Sequence, residues 1–191
     1  MIGEADTCRK YVEPLLLAAG WDDPPHSYTE QVHFTDGRIV VMGTSVKRRP
    51  GKRADYLLRL TRDFPIAVVE AKAAYKLPAD GLQQAKDYAQ ILDLRFAYAT
   101  NGHGIVEYDF TTGEERALEA FPTPDELWAR YRAGAGLVDE TRARRVLTPA
   151  FYQPDLVPRY YQRVAIDRVI QAILTGRRRL LLTPDPPIDA A

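Results

Sequence analysis

The sequence is poor in the residues that build stapled or metal-clustered folds. Among 191 residues there is one cysteine, Cys8, and there are three histidines, His26, His33 and His103. A single cysteine excludes an internal disulfide and a Cys-rich zinc site. It fits a reducing, cytoplasmic setting. The histidines are scattered along the chain, which argues against a histidine metal cluster. No run of about 18 apolar residues occurs, so no membrane span is expected. The opening, Met1 to Lys10, is polar and lacks the apolar centre of a secretory signal. Nor does either charge dominate: 26 basic and 26 acidic residues give a formal net charge of zero. That excludes a globally basic nucleic-acid binder and leaves local patches open.

What is present is ordinary globular composition, 46% hydrophobic and 27% charged. The length suits one domain, or one domain and a fragment of another, with a core of normal size. The charge is uneven. Residues 1–43 carry seven acids and three bases, whereas residues 44–62 carry seven bases (Lys47, Arg48, Arg49, Lys52, Arg53, Arg59, Arg62) against Asp55 alone. Further arginines cluster at Arg142, Arg144 and Arg145 and at Arg177, Arg178 and Arg179. Each cluster reads either as a solvated face or as a phosphate-binding surface.

Patterning predicts a helix over 7–19, capped by Asp6, with Pro14 kinking it or marking a late first turn. Strands are expected over 28–34 and 38–42 and a basic loop over 47–53. Two more strands follow over 54–60 and 66–73, apolar on both faces as in a covered sheet. Asp80 is expected to cap a helix to about Asp93, with Leu82, Ala85, Ala89 and Leu92 as its apolar stripe. Strands over 96–100 and 105–110 and a helix from Pro124 to about Tyr131 come next. Residues 133–157 lack periodicity and read as a linker. A helix over 158–175 and a strand from Arg179 complete the order. The expected architecture is α/β, a central mixed sheet flanked by helices, with a separate C-terminal piece.

The chemistry concentrates at Asp55, Glu70 and Lys72. Glu70 and Lys72 are two apart on a strand and share a face. If residues 60 and 65 pair across a four-residue loop, Thr61 to Phe64, partner numbers sum to 125 and Asp55 stands opposite Glu70. A slip of one residue would move it to the other face. Acids and a lysine among Val68, Val69, Ala71 and Ala73 need partners or a metal. Two carboxylates, joined by the Ala71 carbonyl, offer hard oxygen ligands to Mg2+. Lys72 would orient water or stabilise developing charge. The alternative is a Lys–Glu surface pair on an edge strand, and an upstream Asp inside a basic stretch weighs against it. Gln84 and Tyr88, four apart, share a helix face near the sheet and suit hydrogen bonds to a metal-bound water or a phosphate. Glu13 reads as a solvated helix acid with a further carboxylate ligand as the alternative, and Cys8 as a small core residue.

Asp55, then Val68-Val69-Glu70-Ala71-Lys72, then Gln84-x-x-x-Tyr88 resembles the PD-(D/E)XK nuclease core, in its RecB-like branch. The stretches Arg53 to Leu58, Ile66 to Lys72, Gln83 to Ala89 and Ala99-Thr100-Asn101-Gly102 are similar to the N-terminal nuclease domain of type I restriction enzyme R subunits. Asp6 to Lys10, Ala19 to Asp22, Pro158 to Gln162 and Arg178 to Thr183 fit the same family. The resemblance implies Mg2+-dependent hydrolysis of double-stranded DNA that leaves a 5′-phosphate. Asp55 and Glu70 would hold the metal, Lys72 would serve the attacking water, and Gln84 and Tyr88 would support the site or contact DNA. Lys47, Arg48, Arg49, Lys52 and Arg53 are candidate DNA contacts. Modification and specificity subunits are the implied partners.

By that likeness residues 1–132 are the nuclease domain, 133–157 a linker and 158–191 the start of a helicase-like motor, cut short. Two departures stand out. Ala54 replaces the proline before Asp55. Leu180-Leu181-Leu182-Thr183 runs into Pro184-Asp185-Pro186-Pro187 and not into a Gly-Lys-Thr phosphate loop. ATP is therefore expected to serve only a full-length motor, with no ATPase in this chain. The other readings are a DNA-binding or docking fragment that does not cut, and a nuclease of the same superfamily acting in repair.

Overall fold

The computed structural model describes residues 3–34, 39–42, 45–48, 51–148 and 158–181. Its centre is a six-stranded mixed sheet. The strands are β1 (Ser27–Phe34), β4 (Lys52–Thr61), β5 (Phe64–Ala71), β6 (Phe96–Thr100), β7 (Ile105–Asp109) and β8 (Glu114–Leu118), and they lie side by side in that order. All neighbours are antiparallel except β5 and β6. A parallel pair needs a crossover, and here it is a 3-10 turn (Pro78–Gly81) followed by α3 (Leu82–Leu92). A two-stranded ribbon, β2 (Ile39–Met42) with β3 (Ser45–Arg48), stands apart from the sheet.

Helices cover both faces. The expected apolar stripe of α3, Leu82, Ala85, Ala89 and Leu92, is buried. Ala85, Ala89 and Leu92 pack with Leu57, Val68 and Ala97 on one side of the sheet. On the other side Tyr56, Leu58, Val69, Phe96 and Tyr98 meet Val12, Leu16, Trp21 and Leu127. This double cover explains why β4 to β6 read as continuous apolar runs. The N-terminal helical stretch is α1 (Glu4–Thr7), a π-helical turn (Cys8–Val12) and α2 (Glu13–Ala18). Pro14 has no N–H to give, and it sits at the second position of α2, in the first turn after the π turn, where that N–H is least needed. The helix opens earlier than expected: Gly3 precedes it, and Asp6 sits inside the first turn and not at the cap.

Other expectations fail for identifiable reasons. The basic stretch 47–53 is not one loop, because Lys47 and Arg48 end β3 and Lys52 opens β4. Arg49 lies outside the described residues. Strand β8 was not expected; four of its five residues are exposed, so no apolar alternation marks it. The stretch 133–157, read as a linker, contains α5 (Glu140–Val146), after α4 (Pro124–Ala135) has run past Tyr131. Asp139 caps α5 by accepting from the Arg142 N–H at 2.7 Å. Only Ala143 and Val146 of α5 are buried, and two apolar residues make no readable stripe, yet both join the main core. Helix α6 (Tyr160–Leu174) forms as expected. Residues 177–181 form no strand, and Leu182 onward lies outside the described residues. Among the described residues no helix is long and apolar enough to cross a membrane.

Candidate active site

Strand β4 turns into β5 through Arg62 and Asp63, with Thr61 paired to Phe64, so the turn has two residues and not four. The register still sums to 125 where it matters: Tyr56 pairs with Val69, Leu57 with Val68 and Leu58 with Ala67. The irregularity at Arg59 and Pro65 stays at the far end. One step beyond Tyr56 and Val69, Asp55 and Glu70 meet. The Asp55 N–H donates to Glu70 Oε1 at 3.3 Å, and the Ala71 N–H donates to Asp55 Oδ2 at 2.9 Å.

Glu70 is 1% exposed, among the largest fully buried side chains of the protein. Burial first, and then the neighbouring Asp55 charge, push its carboxyl up to about 8. Lys72 follows on the same side and is mostly covered. Its Nζ donates to Gln84 Oε1 at 2.9 Å and lies 3.7 Å from Glu4 Oε1. Gln84 Nε2 in turn donates to the Tyr88 hydroxyl at 3.0 Å. Tyr88 meets Phe34 edge-on at 5.0 Å, and Lys52 Nζ stands 5.7 Å from its ring centre. The five residues read from the sequence thus fall into two linked groups: a carboxylate pair between strands, and a Lys72–Gln84–Tyr88 chain reaching onto α3. Gly81 lets the chain over the crossover pack this close, since a Cβ there would stand 3.2 Å from Lys72 Cε and 3.4 Å from Glu70 Cβ.

The surroundings hold residues that sequence reasoning passed over. Gln31 Nε2 donates to Asp55 Oδ1 at 3.3 Å. Glu4, not Glu13, is the helical acid beside Lys72; Glu13 accepts from the Tyr56 hydroxyl at 3.4 Å. Cys8 is a core residue as read, its thiol pushed up to about 11 by burial. The segment after Lys72 is pinned from two sides. Thr7 Oγ1 accepts from the Ala74 N–H at 3.1 Å, and Asn101 Nδ2 donates to the Lys76 carbonyl at 2.8 Å. Asn101 Oδ1 also accepts from the N–H groups of His103 and Gly104, both at 3.0 Å. Gly102, at φ +83°, gives way to Tyr11, whose ring side an added Cβ would strike. A signal for this existed, since Asn101-Gly102 is a turn pair, but its partners are distant in sequence.

Of the basic residues, Arg53 is exposed and Lys52 half-buried. Among the described residues no three or more His, Cys, Asp or Glu side chains converge on one point. The site offers a carboxylate pair, which with a backbone carbonyl still suits a hard cation that keeps several waters. A cavity of about 190 Å³ lies elsewhere, between α6 and the β4–β5 turn, lined in part by Arg59, Phe64, Leu94, Arg163 and Asp167. It touches none of the five candidate residues.

No protein-family model matches the chain. Its homologues are endonuclease subunits of type I restriction enzymes. The chain is 38% identical over 188 residues to the EcoAI endonuclease subunit of the type I restriction enzyme of Escherichia coli, across 94% of this chain and 23% of that subunit. It also superposes on the fragment structure of an HsdR subunit of a type I restriction enzyme from Vibrio vulnificus YJ016. That match has a TM-score of 0.84 and 53% identity, over 94% of this chain and 34% of the other. The chain therefore spans 23% and 34% of these two relatives.

Proposed function

We propose that this chain carries the DNA-cleaving domain of a type I restriction enzyme R subunit, a PD-(D/E)XK nuclease that hydrolyses phosphodiester bonds with Mg2+. The observation that supports this best is the Asp55–Glu70 contact: across neighbouring strands the Asp55 N–H donates to a Glu70 carboxylate that is 1% exposed, and the Asp55 charge raises that carboxyl further. A buried acid beside a second acid is costly until a cation joins them. Asp55, Glu70 and the Ala71 carbonyl would hold Mg2+. Bound there, the ion would neutralise both acids and polarise a phosphate oxygen.

The chain's own groups do the rest. Lys72 presents its ammonium on the Glu70 side of the sheet, where it orients the attacking water or meets the charge growing on the phosphate. Gln84 holds that ammonium, and Tyr88 holds Gln84. Lys52 and Arg53, with Lys47, Arg48 and Arg49 before them, would take phosphates of double-stranded DNA, which positions the duplex without reading its sequence. Water adds to phosphorus, the bond to the leaving 3′ oxygen breaks, and a 5′-phosphate remains. In this reading the nuclease domain extends through α5, whose Ala143 and Val146 share its core, and residues 158–191 open the helicase-like motor. Recognition and modification fall to partner subunits in the cytoplasm, and ATP to the complete motor.

The test is calorimetric titration of Mg2+ and Mn2+ into the chain and into a Glu70→Ala variant, with plasmid nicking followed on the same samples. Cation binding that disappears with Glu70 is the expected result. Equal binding by both proteins would sink the assignment.

A further inference from the structure

Gln31 lies inside β1 with φ +52°, a left-handed conformation that glycine adopts freely and glutamine does not. The pairing of β1 with β4 keeps one register on either side of it: Glu30 with Tyr56, Val32 with Ala54. No residue is inserted, so the distortion is confined to the one position facing Asp55. Gln31 is exposed, and core packing does not impose its backbone. Its amide donates to Asp55 Oδ1 at 3.3 Å, while the Ala71 N–H from β5 donates to Oδ2 at 2.9 Å. Donors from the two flanking strands therefore grip both carboxylate oxygens. An unusual backbone at a polar surface position persists when it aims a side chain at something.

We propose that Gln31 is a positioning residue, which fixes the Asp55 carboxylate for cation binding and keeps a left-handed backbone to do so. The inference rests on reading Asp55 and Glu70 as the cation pair.

Two variants separate the amide from the backbone. Gln31→Gly removes the amide and frees the backbone, and the thermal midpoint of the cation-free chain should rise by about 2–4 °C. Gln31→Ala removes the amide and keeps the backbone penalty, so its midpoint should hold or fall. Mn2+ affinity, read by calorimetry, should drop roughly three- to tenfold in both. A residue with only a structural role would make affinity follow stability and survive in the glycine variant. Wild-type affinity in both variants, with binding abolished by Glu70→Ala, overturns the inference and leaves the site standing. A glycine variant that gains no stability overturns the role given to the backbone. Binding unchanged by Glu70→Ala, or no binding by the unsubstituted chain, removes the site and the inference together.

Discussion

Replacing Glu70 with glutamine is expected to stabilise the cation-free chain at alkaline pH while abolishing cation binding. The folded chain holds Glu70 at about 8 against an ordinary 4.5, chiefly through burial and then through Asp55. The fold therefore favours the protonated acid. The stability that this contributes is complete below pH 4.5, falls as the pH climbs, and is gone once the pH has passed through about 8. The glutamine variant is neutral throughout and has no such slope. The stability gap between the two proteins should open across that window to about 3–5 kcal/mol, an order-of-magnitude figure from the size of the shift. Urea denaturation at a series of pH values measures it. A parallel pair of pH profiles would mean that Glu70 is not held protonated by the fold.

Under the proposed function, cation binding would reverse the balance. The carboxylate must ionise to serve as a ligand, so at pH values below about 8 binding is coupled to proton release. Calorimetry in buffers of different ionisation enthalpy reads that proton directly. On that reading stability and cation binding would pull on Glu70 in opposite directions.

Arg130→Ala should be the most damaging single change away from the site. Glu107 is fully buried and accepts from Arg130 Nη1 at 2.9 Å, Arg116 Nη2 at 3.1 Å and the Tyr98 hydroxyl at 3.2 Å. Asp109 accepts from Arg130 Nη2 at 2.7 Å and from the Thr111 N–H at 2.7 Å. Burial alone would raise the Asp109 carboxyl, but the bonds from Arg130 and Thr111 outweigh it and hold it below its usual range. The same guanidinium lies 4.5 Å from the centre of the Phe96 ring. Removing it strands two acids on β7, and breaking such a buried pair costs about 3–5 kcal/mol. Denaturation midpoints test this. Pairing Arg130→Met with Glu107→Leu should recover part of the loss, since apolar replacement of a buried pair is often neutral, while Asp109 still lacks its arginine. A single variant as stable as wild type would show that Arg116 and the Tyr98 hydroxyl suffice for Glu107.

How far the sequence could be read depended on where partners lie. The β4–β5 register was legible because both strands sit next to each other in the chain and turn tightly. The sum of 125 survived a misjudged turn, since removing the loop did not change the partners of Leu57 and Leu58. The Lys72–Gln84–Tyr88 chain was legible in part from helical spacing. Partners of Asp55 and Lys72 that come from β1 and α1 were not, because no local pattern ties Gln31 or Glu4 to residues 24 and 68 positions away. Helix α5 and strand β8 escaped because polar surface residues carry little periodicity. The Arg130 cluster escaped because a charged residue looks solvated until its buried partner is known.

The double pinning of the segment after Lys72 has a kinetic side. The amides of Ala74, Lys76 and Leu77 are all donated inside the protein, to Thr7, Ala73 and Asp80. The segment also presents Tyr75 and Leu77 to solvent. It is a surface loop whose Ala74 amide is held across the fold by Thr7, so that hydrogen exchanges with deuterated solvent only when α1 lets go, whereas the Lys76 and Leu77 amides, held by acceptors three residues away, report local opening. Any partner docking on Tyr75 and Leu77 would meet a surface already ordered, with little chain entropy left to lose.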